Sequence, residues 1–330
     1  MSRPRVIFRC DADEVIGAGH LMRCLALADA CADLGMRPIF ATAPLSANTQ
    51  ALLLGRGFEH RALGPLARQG EELAGFKAAA LVLDRYDLPT NYLDAWSRRV
   101  QPCLQIVDDK KVLPGVTLAL NQNLGGSIED SPYLTTFCGL RYALLRKEFC
   151  GADTIDCSLP PKRCLLTLGG SDPPGHTQTL IAVLSPWIRR QKMTLVVVVG
   201  GHNPRAKELL ALAEDAPWLE LHHDVANMAT LMATCQVAVS AAGSTLWELC
   251  AMGLPRLVVR LAPNQHPLAS AAAAAKVAID LGEVEELEPS TLLRALDDLI
   301  AGPNARQLQA ALGRELVDGQ GASRVAQALS

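Results

Sequence analysis

The chain has 330 residues, 49% of them hydrophobic and 20% charged, with a formal net charge of −3. That length and apolar content support one large or two ordinary folded domains and exclude a disordered chain. The balanced charge excludes the basic footprint of a nucleic-acid or anionic-membrane binder, so neither is expected as a partner.

In chain order, RVIFRCD is a short strand that runs into GAGH. Residues 18–35 then place Leu21, Leu25, Ala28 and Leu34 at helical spacing, with Gly35 as the closing cap. RPIFATA (37–43), AAALVLDRY (78–86), CLQIVDD (103–109) and LALNQN (118–123) are the next strands. The Pro-containing, polar stretch at 151–163 is a linker. Beyond it come RCLLTLGGSDPPGHT, MTLVVVVGGHNP, LELHHDV, CQVAVSAAGSTLWELCAMGLP and RLVVRLAPNQHPLASAAAAA, each opening as a strand and several running into helices. The segment from Pro289 to Ser330 is helical and alanine-rich, with no chemistry assigned to it. Apolar strands alternating with helices imply parallel sheets covered on both faces. The expected fold is α/β, with two Rossmann-like doubly wound domains at 1–156 and 157–330 and an interdomain cleft at the carboxyl ends of the strands.

The opening segment carries no apolar run of signal-peptide length, and MTLVVVVGG (193–201), the longest such run, is too short to span a bilayer. A cytoplasmic location is expected. Ten cysteines are scattered without a C-x-x-C pair, which reads as small buried hydrophobes and leaves a zinc site unexpected.

Four hinges carry candidate chemistry. Gly17 and Gly19 sit between strand and helix, where glycines let backbone N–H groups approach an anion. His20 follows, as either a satisfied helix-start residue or a base. Gly169, Gly170 and Ser171 form a possible anion nest without the lysine of a P-loop. Ser244 and Thr245 open a helix that can take a phosphate, and Glu248 is placed to take ribose hydroxyls or to complete a capping box with Thr245. Asn264 and Gln265 lie in a proline-stiffened loop able to read amide or hydroxyl groups. Polar strand ends add Asp84, Tyr86, Asp108, Asp109, Asn121 and Asn123. The adjacent Asp108 and Asp109 point to opposite faces of a strand and do not suggest a shared metal ion.

The blocks FRCDADEVIGAGHLMRCLALA, LVLDRYDL, IVDD, LALNQN, CGLRYALLRKEF, LTLGGSDP and VSAAGSTLWELCAMGLP followed by APNQ stand in one order along most of the chain. Together they resemble the UDP-2,4-diacetamido-2,4,6-trideoxy-β-L-altropyranose hydrolases of pseudaminic acid biosynthesis, whose wider relatives are two-domain glycosyltransferases of the GT-B type. The resemblance implies hydrolysis of a UDP-linked 2,4-diacetamido-2,4,6-trideoxyhexose at its anomeric carbon, releasing UDP and the free sugar without a metal or other cofactor. It gives His20 the role of general base toward water, which suits an imidazole because histidine titrates near neutral pH. It makes Tyr86 and Asn264 companions of His20 at the sugar. Gly169, Gly170, Ser171, Ser244 and Thr245 would then lie near the phosphates, Glu248 near the ribose, and Gly17, Gly19 and Gln265 against the substrate. Asp11 is expected to orient His20. A glycosyltransferase using a UDP-sugar donor, or a UDP-sugar epimerase, is the alternative on the same fold. Oligomeric state is left open.

Overall fold

A computed structural model describes residues 3–11, 19–45, 47–97, 102–152, 155–170, 172, 174–201 and 203–330. Gly17 and Ser171 lie outside the described residues. The chain divides into unit 1, Met1–Lys147 with Gly319–Ser330, and unit 2, Glu148–Asp318.

Unit 1 contains β1 (Arg5–Cys10), α1 (Gly19–Asp33), β2 (Arg37–Thr42), α2 (Ala47–Gly55), β3 (Glu59–Ala62), α3 (Leu66–Gly75), β4 (Ala80–Asp84), α4 (Asp94–Ser97), β5 (Cys103–Ile106), β6 (Leu118–Asn121) and β7 (Thr135–Cys138). Its strands form one parallel sheet in the order β3-β2-β1-β4-β5-β6-β7. Successive side chains of a strand point to opposite faces, and the sheet uses both. Val6, Phe8, Ala80, Val82, Leu104 and Ile106 pack with α1 on one face. Ile7, Leu81, Leu83, Cys103 and Val107 pack with Leu73, Leu93 and Trp96 on the other.

Unit 2 contains β8 (Arg163–Thr167), α5 (His176–Arg190), β9 (Thr194–Val199), α6 (Ala206–Ala211), β10 (Leu219–His223), α7 (Met228–Ala233), β11 (Val237–Ala241), α8 (Thr245–Met252), β12 (Arg256–Arg260), α9 (His266–Ala274), β13 (Ile279–Glu283), α10 (Pro289–Ala301) and α11 (Pro303–Leu316). The parallel sheet runs β10-β9-β8-β11-β12-β13. Both units thus place their third, second, first, fourth, fifth and sixth strands in the Rossmann order, which reverses direction between the first and fourth.

Three strands escape the sequence reading: β3, β7 and β13. All are edge strands. An edge strand is covered less completely than a central one, so EHRA, TTFC and IDLGE carry no continuous apolar run.

The last helix, α12 (Gly321–Gln327), departs from the expected 157–330 domain. Its Ala322, Val325 and Ala326 enter the core under α1 in unit 1. Gly321 permits this approach, since a β-carbon there would fall 2.3 Å from the Ala143 carbonyl oxygen. The division at Lys147–Glu148 also precedes the expected one, and Ile155 and Cys157 of the proposed linker are buried. Leu34, counted among the apolar helix positions, lies past the end of α1 and is exposed. The ten cysteines are free thiols, and all but Cys138 and Cys150 are buried. Among the described residues, no helix is long and apolar enough to cross a membrane.

Candidate active site

In unit 1, alternation along the strands decides which polar ends meet α1. Asp84 follows Ala80 and Val82 onto the α1 face, and Asp108 follows Leu104 and Ile106 onto the same face. On α1, Arg23 and Cys24 stand three and four residues after His20 and share its side of the helix.

These groups close into a network. His20 Nδ1 lies 2.6 Å from Asp84 Oδ1. Arg23 grips Asp84 with two nitrogens, Nε to Oδ2 at 2.6 Å and Nη2 to Oδ1 at 2.5 Å. Arg23 Nη1 reaches Asp108 Oδ1 at 3.1 Å, and Asn123 Nδ2 donates to the same oxygen at 2.9 Å. The Tyr86 hydroxyl donates to Asp108 Oδ2, and the tyrosine ring meets the His20 ring edge-on with centroids 4.8 Å apart.

Electrostatics keep the centre charged. Burial alone would raise the Asp84 carboxyl, but Arg23 and His20 outweigh it and hold Asp84 below the ordinary carboxylate value. Asp108 behaves alike: burial opposes ionisation, while Arg23, Tyr86 and Asn123 bring the carboxyl down. The Tyr86 side chain is largely exposed, yet what burial it has, with Asp108 and Asp84, pushes its phenol up, and it stays protonated. An ionised Asp84 favours a hydrogen on Nδ1 of His20, and in the neutral imidazole that tautomer puts the acceptor lone pair on Nε2. Arg23 Nη2 also lies 3.1 Å from His20 Nδ1. Its shorter bond to Asp84 takes precedence, because a guanidinium cannot donate to a nitrogen that carries its own hydrogen.

Asp11 does not orient His20. It follows Ile7 and Arg9 onto the opposite face of β1. Its carboxylate takes Arg9 at 2.5 and 2.9 Å, the Ala43 N–H at 2.9 Å, and Arg85. Burial raises that carboxyl and these partners lower it, with a net shift downward. Asp11 therefore ties the ends of β1, β2 and β4 together, and Asp84 is the carboxylate beside the histidine. Gly19 opens α1 with space on its exposed side, since a β-carbon there would meet none of the described atoms within 4 Å.

Unit 2 builds the corresponding edge from small residues. Gly169 adopts φ +97°, a backbone conformation that favours glycine. A β-carbon on Gly200, after β9, would fall 2.4 Å from the carbonyl oxygens of both Gly169 and Gly170. The nest expected here has a resident acceptor nearby: Asp172 takes the N–H groups of Gly175, His176 and Thr177 at 3.1, 2.9 and 2.7 Å, at the start of α5.

The start of α8 differs. Ser244 is its N-cap, is exposed and makes no side-chain cap hydrogen bond, and Thr245 is half-buried. Glu248 stands half-buried one turn into α8. Asn264 is exposed in a short 3₁₀ turn after β12, whereas Gln265 Oε1 accepts the Leu261 N–H at 2.9 Å and braces its own loop. Sequence reasoning missed Arg23 and the pairing of Asp84 with His20. The available signals were the three-residue step from His20 to Arg23 and counting by twos along β4 and β5.

Residues 164–320 match the family model of the glycosyltransferase family 28 C-terminal domain. A 164-residue stretch, half of this chain, is 28% identical to the spore coat polysaccharide biosynthesis protein SpsG of Bacillus subtilis (strain 168) and spans about half (48%) of that relative's length. Among solved structures, the chain is similar to MurG of Acinetobacter baumannii (TM-score 0.67, 13% identity, 99% of each chain covered). It is also similar to the spinosyn rhamnosyltransferase SpnG complexed with thymidine diphosphate (TM-score 0.64, 16% identity, 99% of this chain and all of that one). The fold is that of the GT-B glycosyltransferases, with two Rossmann-like domains.

Proposed function

We propose that this protein cleaves the bond between the anomeric carbon and the diphosphate of a UDP-sugar, with His20 as the general base toward the attacking oxygen. The observation that carries the reading is the 2.6 Å contact between His20 Nδ1 and the buried, ionised Asp84, which leaves Nε2 free to take a proton. Asp84 also stabilises the imidazolium that forms. Tyr86, held by Asp108, packs beside the imidazole and would face the sugar; the role of Asn264 at the sugar rests on the sequence resemblance.

The diphosphate would be taken by unit 2. The first turn of α8, where Ser244 makes no cap hydrogen bond of its own, offers backbone N–H groups and the hydroxyls of Ser244 and Thr245, and such donors also stabilise charge on the departing UDP. Glu248 would take the ribose hydroxyls. Gly169, Gly170 and Ser171 would line the phosphates through close backbone approach. This scheme calls on no metal ion.

Two acceptors fit the base. Transfer to a hydroxyl is supported by the family 28 match over residues 164–320 and by the transferases that share the fold. Water as acceptor, giving hydrolysis of a UDP-2,4-diacetamido-2,4,6-trideoxyhexose, is supported by the sequence blocks around His20 and by a histidine side chain only 11% exposed, which favours a small nucleophile. The deciding experiment incubates the protein with a panel of UDP-diacetamido sugars, with and without hydroxyl acceptors, following free UDP and the anomeric proton by NMR. UDP release that needs an acceptor establishes transfer, and release in buffer alone establishes hydrolysis. A sugar altered with UDP still attached, or no turnover of any donor, overturns the proposal.

A further inference from the structure

Around the C-terminal end of α8, unit 2 buries the guanidinium of Arg256, which has no carboxylate hydrogen-bonded to it among the described residues. Arg256 opens β12 and is wholly buried. Its backbone N–H donates to Gln309 Oε1 at 2.6 Å, and its Nη2 donates to the Gln309 carbonyl at 3.3 Å. Its Nε and Nη1 are buried without a hydrogen-bond partner among the described residues, and so is Nη1 of Arg314 on α11.

The two arginines meet where α11 lies on α8. A β-carbon on Gly313 would fall 2.7 Å from Arg256 Nη2 and 3.2 Å from Cys250 Cα, and one on Gly253 would fall 1.9 Å from Arg314 Nη1. The glycines thus make room for the guanidinium groups. Arg306 stands nearby but is largely satisfied, donating to the carbonyls of Leu299 and Leu159 at 3.0 and 3.2 Å and to that of Ile300 at 2.5 Å. The Cys157 thiol lies 3.6 Å from the Gly253 carbonyl; burial pushes it up, while Arg314, Arg306 and Arg256 pull it back.

Burying an unpaired ion costs several kcal/mol. Lysine or histidine can escape that cost by losing a proton, but arginine holds its charge. The C-terminal dipole of α8 supplies only about half a unit of negative charge. A small negative ion beside the wholly buried Arg256 guanidinium would offset that cost.

We propose that a small inorganic anion of chloride size binds between Arg256 Nη1 and Arg314 Nη1, joining α11 to the end of α8. Nothing in this site takes part in the proposed glycosyl chemistry, so the two stand or fall separately. The test measures thermal unfolding of the full chain in sodium chloride and in sodium gluconate at equal ionic strength. Chloride should raise the midpoint saturably, as a ligand of the native state does. Arg314→Gln, at a partly exposed residue, should shift the half-saturating chloride concentration upward about tenfold, the loss of one charge-assisted hydrogen bond. Crystals of the unaltered protein soaked in bromide should show an anomalous peak within hydrogen-bond distance of both Nη1 atoms. Equal midpoints in the two salts, an Arg314→Gln variant that responds like the wild type, or bromide absent from this position overturns the proposal.

Discussion

At the switch between first and fourth strands, unit 1 carries Asp11, Asp84 and His20, whereas unit 2 carries Gly169, Gly170 and the run from Ala241 to Thr245. One strand order therefore supports two kinds of surface. In unit 1 the strand ends hold charged side chains at fixed distances, as catalysis by proton transfer requires. In unit 2 the side chains are small, so backbone donors and carbonyls form the edge. The difference teaches that a Rossmann-like sheet supplies only the place, while the size of the residues after each strand sets whether side chain or backbone acts there.

The sharpest way to break this comparison is His20→Ala. It should lower UDP release by about 10³-fold or more, while UDP affinity measured calorimetrically stays near the wild-type value. A matching loss of UDP binding would show that the chemistry is not confined to unit 1. Asp84→Asn follows, with an expected fall in kcat of about 10²-fold and little change in KM, because the amide no longer holds the histidine tautomer or balances its charge. Unchanged kcat in steady-state assays would remove Asp84 from the dyad.

Gly200→Ala tests the backbone surface of unit 2. The added methyl meets the carbonyls of Gly169 and Gly170, so denaturant unfolding should show a loss of about 1–3 kcal/mol. UDP affinity should fall with it, and turnover at saturating substrate should fall much less.

A smaller effect concerns pH. Asp84, Asp108 and Asp11 lie below their ordinary values, so the folded state favours their ionised forms. Their contribution is complete above the unfolded carboxylate value, about pH 4, and is lost as pH falls through the lowered folded values. Urea midpoints of the wild type should therefore drop steeply below about pH 4, with a shallower drop in Asp84→Asn. Ser244→Ala should have the least effect on turnover, weakening UDP by about tenfold, the worth of one hydrogen bond to a charged phosphate. A loss as large as that of His20→Ala would place a side chain, and not the backbone, at the centre of unit 2.

Legibility in the sequence followed burial. Central strands such as RVIFRC and TLVVVV announce themselves because both faces are covered, while EHRA, TTFC and IDLGE lie at sheet edges and look like loops. Asp11 was the natural partner for His20 by nearness in the chain, yet the alternation of β1 sends it to the opposite face. Asp84, 64 residues away, arrives beside the imidazole because β4 pairs with β1 and shares its face with α1.

The sequence by itself determined the alternation of strand and helix, the central strands of both sheets, and the glycine and histidine hinges where chemistry was sought. Periodicity and turn residues are local properties, and they survive in a linear reading. Tertiary structure alone decided which carboxylate meets His20, that Asp172 occupies the start of α5, that α12 returns to the first core, and that Arg256 buries its charge near Arg314. Each depends on which face and which neighbouring strand a residue meets, and those follow from strand order and packing across long stretches of chain.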